Sequence, residues 1–266
     1  MSRIAAVQMA SGADKAANLA TAESLVREAA ARGAALVGLP ENVAWMGPEP
    51  ERNAAAESLE GPTLLRFSAL ARSLGIHLLA GSVLETGAEG GRLYNTSVLF
   101  GPQGERLAVY RKMHLFDVEV GDGQTYRESA AVAPGKEVVT AETPLGRMGL
   151  SVCYDLRFPE LYRALSAKGA VLLSVPSAFT LMTGKDHWEV LLRARAIENQ
   201  AYVLAPAQGG RHPGERLTYG HALVVDPWGL VVACASEGEG LAMADMDLGL
   251  LERVRTRLPA LRHRRL

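Results

Sequence analysis

The chain has 266 residues, 48% of them hydrophobic, which suffices for the core of one large α/β domain or two small ones. Its formal net charge of -1 gives no overall field that would draw it to nucleic acid or membranes. No stretch reaches the roughly 18 apolar residues of a membrane span, and the N-terminus is typical of a first strand rather than a signal peptide. The cysteines, Cys153 and Cys234, indicate neither a disulfide framework nor a metal site, and we expect a reducing, cytoplasmic environment.

The first part of the chain alternates between short apolar runs and amphipathic stretches. Apolar residues at helical spacing predict a helix over 14–32, and Pro62 with the apolar residues after it predicts another that ends before Gly75. Strands are predicted over 4–9, 36–39 and 76–81. This β-α-β-α-β order is typical of a sheet whose strands are joined by helical crossovers.

The same order returns later in the chain. The predicted elements are strands over 148–152, 171–176 and 202–206, a helix from Pro159 and a helix over 187–199. Each series is followed by a predicted hairpin, over 95–111 around Gly-Pro-Gln-Gly and over 221–235 around Asp-Pro-Trp-Gly. The similarity between the two series and between their hairpins predicts an internal duplication, with two sheets face to face and helices outside. Convergence is the alternative, because proline and glycine are common in hairpin turns.

Two segments do not fit this pattern of strands and helices. The stretch 113–142 is polar and glycine-rich, and a loop of that length in a compact domain is usually functional or disordered. The C-terminal stretch 248–266 predicts a short helix followed by a basic run over 262–265. Such a run is either a solvated tail or an arm that binds a partner.

Cys153 follows the apolar run 148–152, and Pro159 opens a helix six residues later. A cysteine in such a strand-to-helix turn lies near backbone N–H groups and the positive end of a helix dipole, which favour a thiolate and can hold an oxyanion. The alternative is a small apolar residue of the core, the usual place of a free cysteine.

Two further polar residues follow predicted strands, Glu41 after 36–39 and Lys112 after 107–111. Sites in α/β sheets collect beyond the carboxyl ends of strands, although each residue alone also fits a solvated surface position. Together with Cys153 they suit acyl transfer from nitrogen through a thioester. Glu41, its pKa raised by burial, would take the thiol proton and return a proton to the leaving amine. Lys112 and the backbone N–H of Tyr154 would hold the oxyanion.

Three segments closely resemble the signature motifs of the nitrilase superfamily of carbon–nitrogen hydrolases. They are Pro40-Glu41-Asn42, the stretch 110–118 around Lys112, and the stretch 153–160 that starts at Cys153. The resemblance covers essentially the whole chain and implies one domain over 1–266 with an α/β fold, a four-layer α-β-β-α sandwich. It implies a Glu41–Lys112–Cys153 triad, no cofactor, and a homodimer or higher homo-oligomer paired across its helices. It also implies that Glu128, in the loop after the lysine, orients the lysine and the substrate.

Four later segments resemble the amidase branch that acts on deaminated glutathione. They are 176–179, 187–198, 207–212 and 219–229. The implied reaction hydrolyses the amide between a 2-oxoglutarate-like group and cysteinylglycine, which repairs a side product of transaminases. An omega-amidase acting on 2-oxoglutaramate or another small dicarboxylate monoamide is the alternative. Two departures from the family pattern, Lys185-Asp186 and the loop 121–125, are expected to border the substrate pocket.

A substrate that carries carboxylates needs cationic partners, and a guanidinium binds carboxylate in a bidentate way. Arg157, near the nucleophile turn, and Arg211 are the candidates, and a solvated or structural role is the alternative for each. Tyr94 and Phe179 are candidates for pocket lining, with plain core packing as their alternative.

Other classes of function fit parts of the pattern. His187 and His221 match no metal-binding spacing, and we expect structural roles for both and no bound metal. A papain-like thiol hydrolase would need a histidine base and would tolerate loss of Glu41. A non-catalytic partner module is a further alternative, against which the presence of all three triad residues argues. Cys234 lies in an alternating apolar run and is expected to pack.

Overall fold

The computed structural model describes residues 2–119 and 125–265. The helices are α1 (Lys15–Ala31), α2 (Arg52–Ala55), α3 (Pro62–Leu74), α4 (Pro159–Ala167), α5 (Leu181–Asn199) and α6 (Leu248–Arg257). The strands are β1 (Ser2–Met9), β2 (Ala34–Gly38), β3 (His77–Glu85), β4 (Tyr94–Phe100), β5 (Arg106–Arg111), β6 (Asp117–Glu119), β7 (Thr125–Arg127), β8 (Thr140–Ala141), β9 (Met148–Leu150), β10 (Leu172–Ser174), β11 (Tyr202–Ala205), β12 (Ala207–Arg211), β13 (Leu217–Tyr219), β14 (Leu223–Val225), β15 (Val231–Cys234) and β16 (Gly240–Met246).

The described strands form two large sheets with the same internal order. The first runs β13-β12-β1-β2-β3-β4-β5, with β16 also paired to β1, and the second runs β15-β14-β11-β10-β9-β8. In the first sheet β1, β2 and β3 are parallel, and β4 and β5 continue antiparallel. In the second sheet β9, β10 and β11 are parallel, and β14 and β15 continue antiparallel. This repeated topology agrees with the predicted duplication.

The strands of the first sheet divide their side chains between two cores. In β1, Ile4 and Ala6 face the second sheet, whereas Ala5 and Val7 pack with helices α1 and α3. This alternation follows from the two-residue period of a strand, and it lets one sheet be covered on both faces. Helices α4 and α5 pack on the second sheet, where Trp188 is fully buried. The layers are therefore α-β-β-α, and the predicted fold is confirmed.

Capping residues explain most helix boundaries. Asp14 accepts a hydrogen bond from Ala17 N at the start of α1, and Pro62 and Pro159 occupy the first positions of α3 and α4. Helix α5 begins at Leu181, six residues before its predicted start, because the Thr180 hydroxyl accepts a hydrogen bond from the first turn. None of the described helices is long and apolar enough to cross a membrane.

The sequence patterns missed several strands. Strand β16 pairs with β1 over seven positions, although its alternating small residues gave no strong strand signal. The short strands β12 and β13 join the first sheet next to β1, and they carry the chain past the end of β2. The polar stretch 113–142 contains the small hairpin β6–β7 and the strand β8, so its described part is not a structureless loop.

Two glycines bring backbone segments together beside the strand ends. A Cβ at Gly81 would lie 1.7 Å from the carbonyl oxygen of Leu39, two residues before Glu41. A Cβ at Gly135 would lie 2.1 Å from the carbonyl oxygen of Arg111, and Gly135 N donates to Lys112 O at 2.8 Å. Only glycine permits such close approaches, and both fix the segments that carry the polar residues at the strand ends.

Candidate active site

Three strand-end residues converge on one cavity of about 710 Å³. Glu41 follows β2, Lys112 follows β5, and Cys153 follows β9. All three are buried, with 2%, 2% and 6% of their surface exposed respectively. The solvated surface positions considered for Glu41 and Lys112 are therefore wrong.

Cys153 lies in a strained turn between β9 and α4. Its backbone φ is +49°, in the left-handed region that costs a non-glycine residue about 1–3 kcal/mol. The turn is held because Cys153 N donates to Pro176 O at 2.9 Å. Both Cys153 and Tyr154 line the cavity, and no described residue accepts a hydrogen bond from Tyr154 N. The turn thus presents a thiol and a free N–H donor to the same space.

Lys112 bridges two carboxylates. Its Nζ donates to Glu41 Oε1 at 2.9 Å and to Glu128 Oε2 at 2.8 Å. Asn95, a buried residue of β4, donates through Nδ2 to the same two groups, at 2.9 Å and 3.1 Å. These four side chains form one hydrogen-bonded cluster, in which every charged group has an oppositely charged partner.

Backbone N–H groups complete the coordination of both carboxylates. Ala178 N donates to Glu41 Oε2 at 2.9 Å, and Phe116 N donates to Glu128 Oε2 at 2.7 Å. Since the second oxygen of Glu41 is held by Ala178, that carboxylate has a fixed orientation. Such fixed charges in a buried site need no reorganisation when a reaction begins.

The pKa values define the protonation state of the site. Burial raises the pKa of Glu41, but the Lys112 ammonium and the hydrogen bonds from Cys153 and Lys112 outweigh it, so this pKa lies below its usual value. Burial lowers the pKa of Lys112, yet the Glu128 and Glu41 carboxylates raise it well above its usual value. Burial and the Glu41 carboxylate raise the pKa of the Cys153 thiol well above its usual value. At neutral pH the site holds a carboxylate, an ammonium and a neutral thiol, so the predicted rise in the Glu41 pKa and the resting thiolate are both wrong.

A fully buried carboxylate, Asp155, ties the nucleophile turn to the lysine segment. It accepts hydrogen bonds from the hydroxyl of Tyr110 at 2.7 Å and from Val152 N at 2.9 Å. It also accepts from His114 N at 3.0 Å, and its other contact is His114 Nδ1 at 2.7 Å. Because Tyr110 precedes Lys112 by two residues and Asp155 follows Cys153 by two, the network fixes these two residues relative to each other.

Aromatic rings and guanidinium groups form the rest of the cavity wall. The aromatic residues that line it are Phe116, Tyr126, Tyr154 and Phe179. The arginines that line it are Arg52, Arg127 and Arg216. With Lys112 these arginines place four cations in the wall against the three carboxylates of Glu41, Glu49 and Glu128, which suits a small anionic molecule whose reactive carbonyl reaches Cys153.

The structure separates the predicted pocket residues. Phe179 lines the cavity as predicted, whereas Tyr94 packs on Arg111 and lines a different cavity. The reason is strand alternation: Tyr94 and Asn95 are neighbours in β4, so only one of them can face the site. Arg211 is also outside the cavity, with 65% of its side chain exposed and an ion pair to Glu215.

Arg157 lies behind the cavity wall. Its guanidinium contacts His187 Nδ1 at 3.3 Å and lies 5.5 Å from the ring centre of Phe179 and 5.9 Å from that of Tyr154. It therefore packs against two rings that line the cavity without itself lining it. This places the predicted positioning residue next to the site rather than in it.

One of the two departures from the family pattern, Lys185-Asp186, lies away from the described cavity wall. Lys185 and Asp186 are exposed on α5, so the expectation that they border the cavity is wrong, and residues 121–124 lie outside the described residues. His221 stacks on Tyr219, and the described chain holds no cluster of three potential metal-ligating side chains. Cys234 is exposed on the edge strand β15, so its predicted packing role is wrong.

Comparison with known proteins gives consistent matches over the whole chain. A family model described as carbon-nitrogen hydrolase matches residues 3–256. The chain is 49% identical over 263 residues to a deaminated glutathione amidase from Synechocystis sp., covering 98% of this chain and 97% of that one. It is 40% identical over 268 residues to the omega-amidase NIT2 of Homo sapiens, covering 99% and 95%. Among solved structures, the C. elegans NitFhit protein matches with a TM-score of 0.94 and 40% identity, over 99% of this chain but 65% of that chain, so this chain spans just under two thirds of it.

Proposed function

Because the chain belongs to the carbon–nitrogen hydrolase family, whose members hydrolyse carbon–nitrogen bonds, we propose that it is an amidase that hydrolyses deaminated glutathione to 2-oxoglutarate and cysteinylglycine. The observation that carries the proposal is the buried cluster of Glu41, Lys112 and Cys153 in a cavity with cationic walls. The 49% identity to a protein named deaminated glutathione amidase supports the choice of substrate.

The reaction begins with a neutral thiol beside a carboxylate. Cys153 Sγ attacks the amide carbonyl carbon as Glu41 takes the thiol proton, which removes the need for a resting thiolate. The carbonyl oxygen becomes an oxyanion within reach of the Lys112 ammonium and the free N–H of Tyr154. Donors of this kind are worth roughly 3–4 kcal/mol each in the transition state.

The thioester forms when the carbon–nitrogen bond breaks. Glu41 returns its proton to the leaving amine of cysteinylglycine, and the acyl group stays on Sγ. A water molecule then gives a proton to Glu41 and attacks the thioester, and the proton returns to the sulfur as 2-oxoglutarate leaves. The same carboxylate thus acts as base and acid in both halves of the reaction.

Glu128 acts through Lys112 in this proposal. Its Oε2 accepts a hydrogen bond from the ammonium at 2.8 Å, and the same oxygen is fixed by Phe116 N. The negative charge of the Glu128 carboxylate helps to keep Lys112 protonated and holds its ammonium at the cavity. We therefore assign Glu128 a positioning role, and Arg157 a supporting role behind Tyr154 and Phe179.

A histidine-based thiol hydrolase is disfavoured by the cavity wall. None of the described residues that line the cavity is a histidine. His114, the histidine tied to the nucleophile turn, is held by Asp155 and stacks on Phe158 at 3.7 Å between ring centres. The role of base therefore falls to Glu41.

The alternative substrate is 2-oxoglutaramate, supported by the 40% identity to an omega-amidase. A side-by-side assay with deaminated glutathione and 2-oxoglutaramate tests the choice. We expect kcat/KM at least tenfold higher for deaminated glutathione. Comparable values on both, or a preference for 2-oxoglutaramate, would contradict the narrower proposal.

The oligomeric state and location are also proposals. An exposed apolar patch on α5 and the β14–β15 turn, formed by Val190, Ile197, Trp228 and Leu230, is 49–66% exposed per residue in the single chain. We propose that a second copy covers this patch in a homodimer, since patches of this kind mark interfaces. Light scattering tests it: Trp228→Glu should lower the measured mass, and a monomeric wild type would contradict it.

Free cysteines suit the reducing cytoplasm, where we place the enzyme.

A further inference from the structure

A second cavity lies next to the catalytic cavity, on the side of Asn42. It has a volume of about 370 Å³, and the two cavities share a wall formed by Asn42, Arg52, Leu84 and Arg216. Asn42 directly follows Glu41, the carboxylate that protonates the leaving amine in the proposed mechanism. The shared wall therefore lies next to the group that would protonate the leaving amine, and the second cavity offers space beyond that wall.

Arg216 forms no ion pair among the described residues, although its positive charge helps to lower the pKa of Glu41 and its guanidinium lies 5.8 Å from the ring centre of Tyr126. Its Nη2 donates to Ala178 O at 3.3 Å, and its Nε is buried and has no described hydrogen-bond partner. None of the ion pairs among the described residues includes Arg216, whereas Arg52 pairs with Glu49 at 3.1 Å and Arg211 pairs with Glu215. A buried donor without an acceptor is unfavourable, so an anionic ligand here would offset that cost.

Arg216 is also close to the reacting atoms. Ala178 N donates to Glu41 Oε2, and the carbonyl oxygen of the same residue accepts from Arg216. The guanidinium is thus linked through the backbone of a single residue, Ala178, to the carboxylate that protonates the leaving nitrogen.

We propose that Arg216, assisted by Arg52, binds the terminal carboxylate of the leaving group, and that the second cavity holds the leaving dipeptide. The inference rests on the proposed amidase function. It makes the enzyme selective for amides whose leaving amine carries a carboxylate about two residues away. Ammonia, the leaving group of 2-oxoglutaramate, would leave this subsite empty.

The other polar groups around the second cavity do not replace Arg216. The buried His212 has Ser11 O at 2.7 Å from Nδ1 and Thr218 Oγ1 at 2.6 Å from Nε2, so both ring nitrogens are already engaged. Glu49 pairs with Arg52 on this wall at 3.1 Å, which partly neutralises Arg52. Arg216 is consequently the group whose loss should affect carboxylate recognition most.

The test compares two substrates on three proteins. The substrates are 2-oxoglutaryl-cysteinylglycine and its C-terminal carboxamide, which differ only in the terminal charge. We expect the wild type to prefer the carboxylate by at least tenfold in kcat/KM, mostly through KM, because a charge-assisted pair is lost with the amide. Arg216→Gln should reduce this preference to less than about twofold, and Arg216→Lys should restore part of it. Arg211→Gln, a change in the same β12–β13 hairpin, should keep the full preference.

A wild type without a preference, or a folded Arg216→Gln protein that keeps the preference, would overturn the inference. Failure of the wild type to hydrolyse either substrate would instead contradict the proposed function. If Arg216→Gln does not fold, product inhibition of the wild type decides. Cysteinylglycine should then inhibit at least tenfold more strongly than cysteinylglycinamide, and equal inhibition would refute the subsite.

Discussion

The two halves of the chain share one topology but supply different chemistry. After β2 the first half has Leu39-Pro40-Glu41, and at the matching position after β10 the second half has Val175-Pro176-Ser177. Glu41 is paired with Lys112, whereas Ser177 hydrogen-bonds Val175 O in its own half at 3.0 Å. The first half thus supplies the paired charges of Glu41, Lys112 and Glu128, and the second half supplies the thiol of Cys153 and the N–H groups of Tyr154 and Ala178.

The difference shows why the site needs both halves. A buried carboxylate or ammonium is costly unless it is paired, and Glu41 and Lys112 pair within the first half. The Cys153 turn contributes a neutral thiol, and its strained φ of +49° is held by the hydrogen bond from Cys153 N to Pro176 O and by the Asp155 network. Because the charged pair and the strained turn lie in different halves, each half stabilises its own part of the site. The site forms where the strand ends of the two sheets meet.

Removing the thiol should have the largest effect. Cys153→Ala deletes the attacking atom, and we expect turnover to fall by roughly 10⁴-fold or more while the protein stays folded. The measurement is release of cysteinylglycine, with circular dichroism as the check on folding. A variant that retained the wild-type rate would break the division of roles, since the second half would then contribute no reacting group.

Removing the base tests the first half. Glu41→Gln keeps the shape and the contact with Ala178 N but cannot accept the thiol proton, and we expect kcat to fall by roughly 10²–10⁴-fold. The matched change in the second half, Ser177→Ala, removes only a local hydrogen bond and should cost less than about tenfold. Equal losses in the two variants would contradict the assignment of charge chemistry to the first half.

Breaking the link between the halves should act mainly on stability. Asp155→Ala leaves the donors of Tyr110, Val152 and His114 without their acceptor in a buried site, and we expect a loss of about 3–5 kcal/mol in the free energy of unfolding. Denaturant titration measures this. Unchanged stability would mean that the Asp155 network does not join the lysine segment to the nucleophile turn.

The pH dependence should be small across the neutral range. The pKa of Glu41 lies below its usual value of 4.5, so the active carboxylate form persists above that pH, and kcat/KM should fall only as pH drops below about 4.5. The depressed pKa also means that the carboxylate stabilises the fold above pH 4.5 and that this contribution is lost as pH falls through the folded-state pKa. A descending limb near pH 6.5 would indicate a histidine base instead.

The smallest effect is expected at the exposed arginine. Arg211→Ala removes a surface ion pair with Glu215, and the free energy of unfolding should change by less than about 0.5 kcal/mol. The rate on deaminated glutathione should remain within twofold of the wild type. A larger loss would return Arg211 to the substrate site.

The sequence predicted the parts of the site that depend on strand ends. Glu41, Lys112 and Cys153 each follow an apolar run, and a strand end fixes where the next residue lies. It did not predict Asn95, because a one-residue difference in strand register decides whether Tyr94 or Asn95 faces the cavity. Nor could it choose Arg216 over Arg211, since the turn between β12 and β13 and not the composition decides which guanidinium points inward.

The protonation state was also beyond the sequence. Burial alone predicts a raised pKa for Glu41, and the opposite direction follows from contacts with Lys112 and Cys153 that come from distant parts of the chain. The network of Asp155 was similarly hidden, although Tyr110, His114 and Asp155 all lie in the two motifs that carry Lys112 and Cys153. These residues become hydrogen-bond partners only when the fold brings the segment after β5 next to the turn after β9. Their spacing in the sequence does not show this contact.

The most direct measurement is mass spectrometry of the protein quenched during turnover of deaminated glutathione. We expect a 2-oxoglutaryl thioester on Cys153, formed together with one equivalent of cysteinylglycine and absent from Cys153→Ala. Turnover without any covalent adduct, or an adduct on another residue, would contradict it.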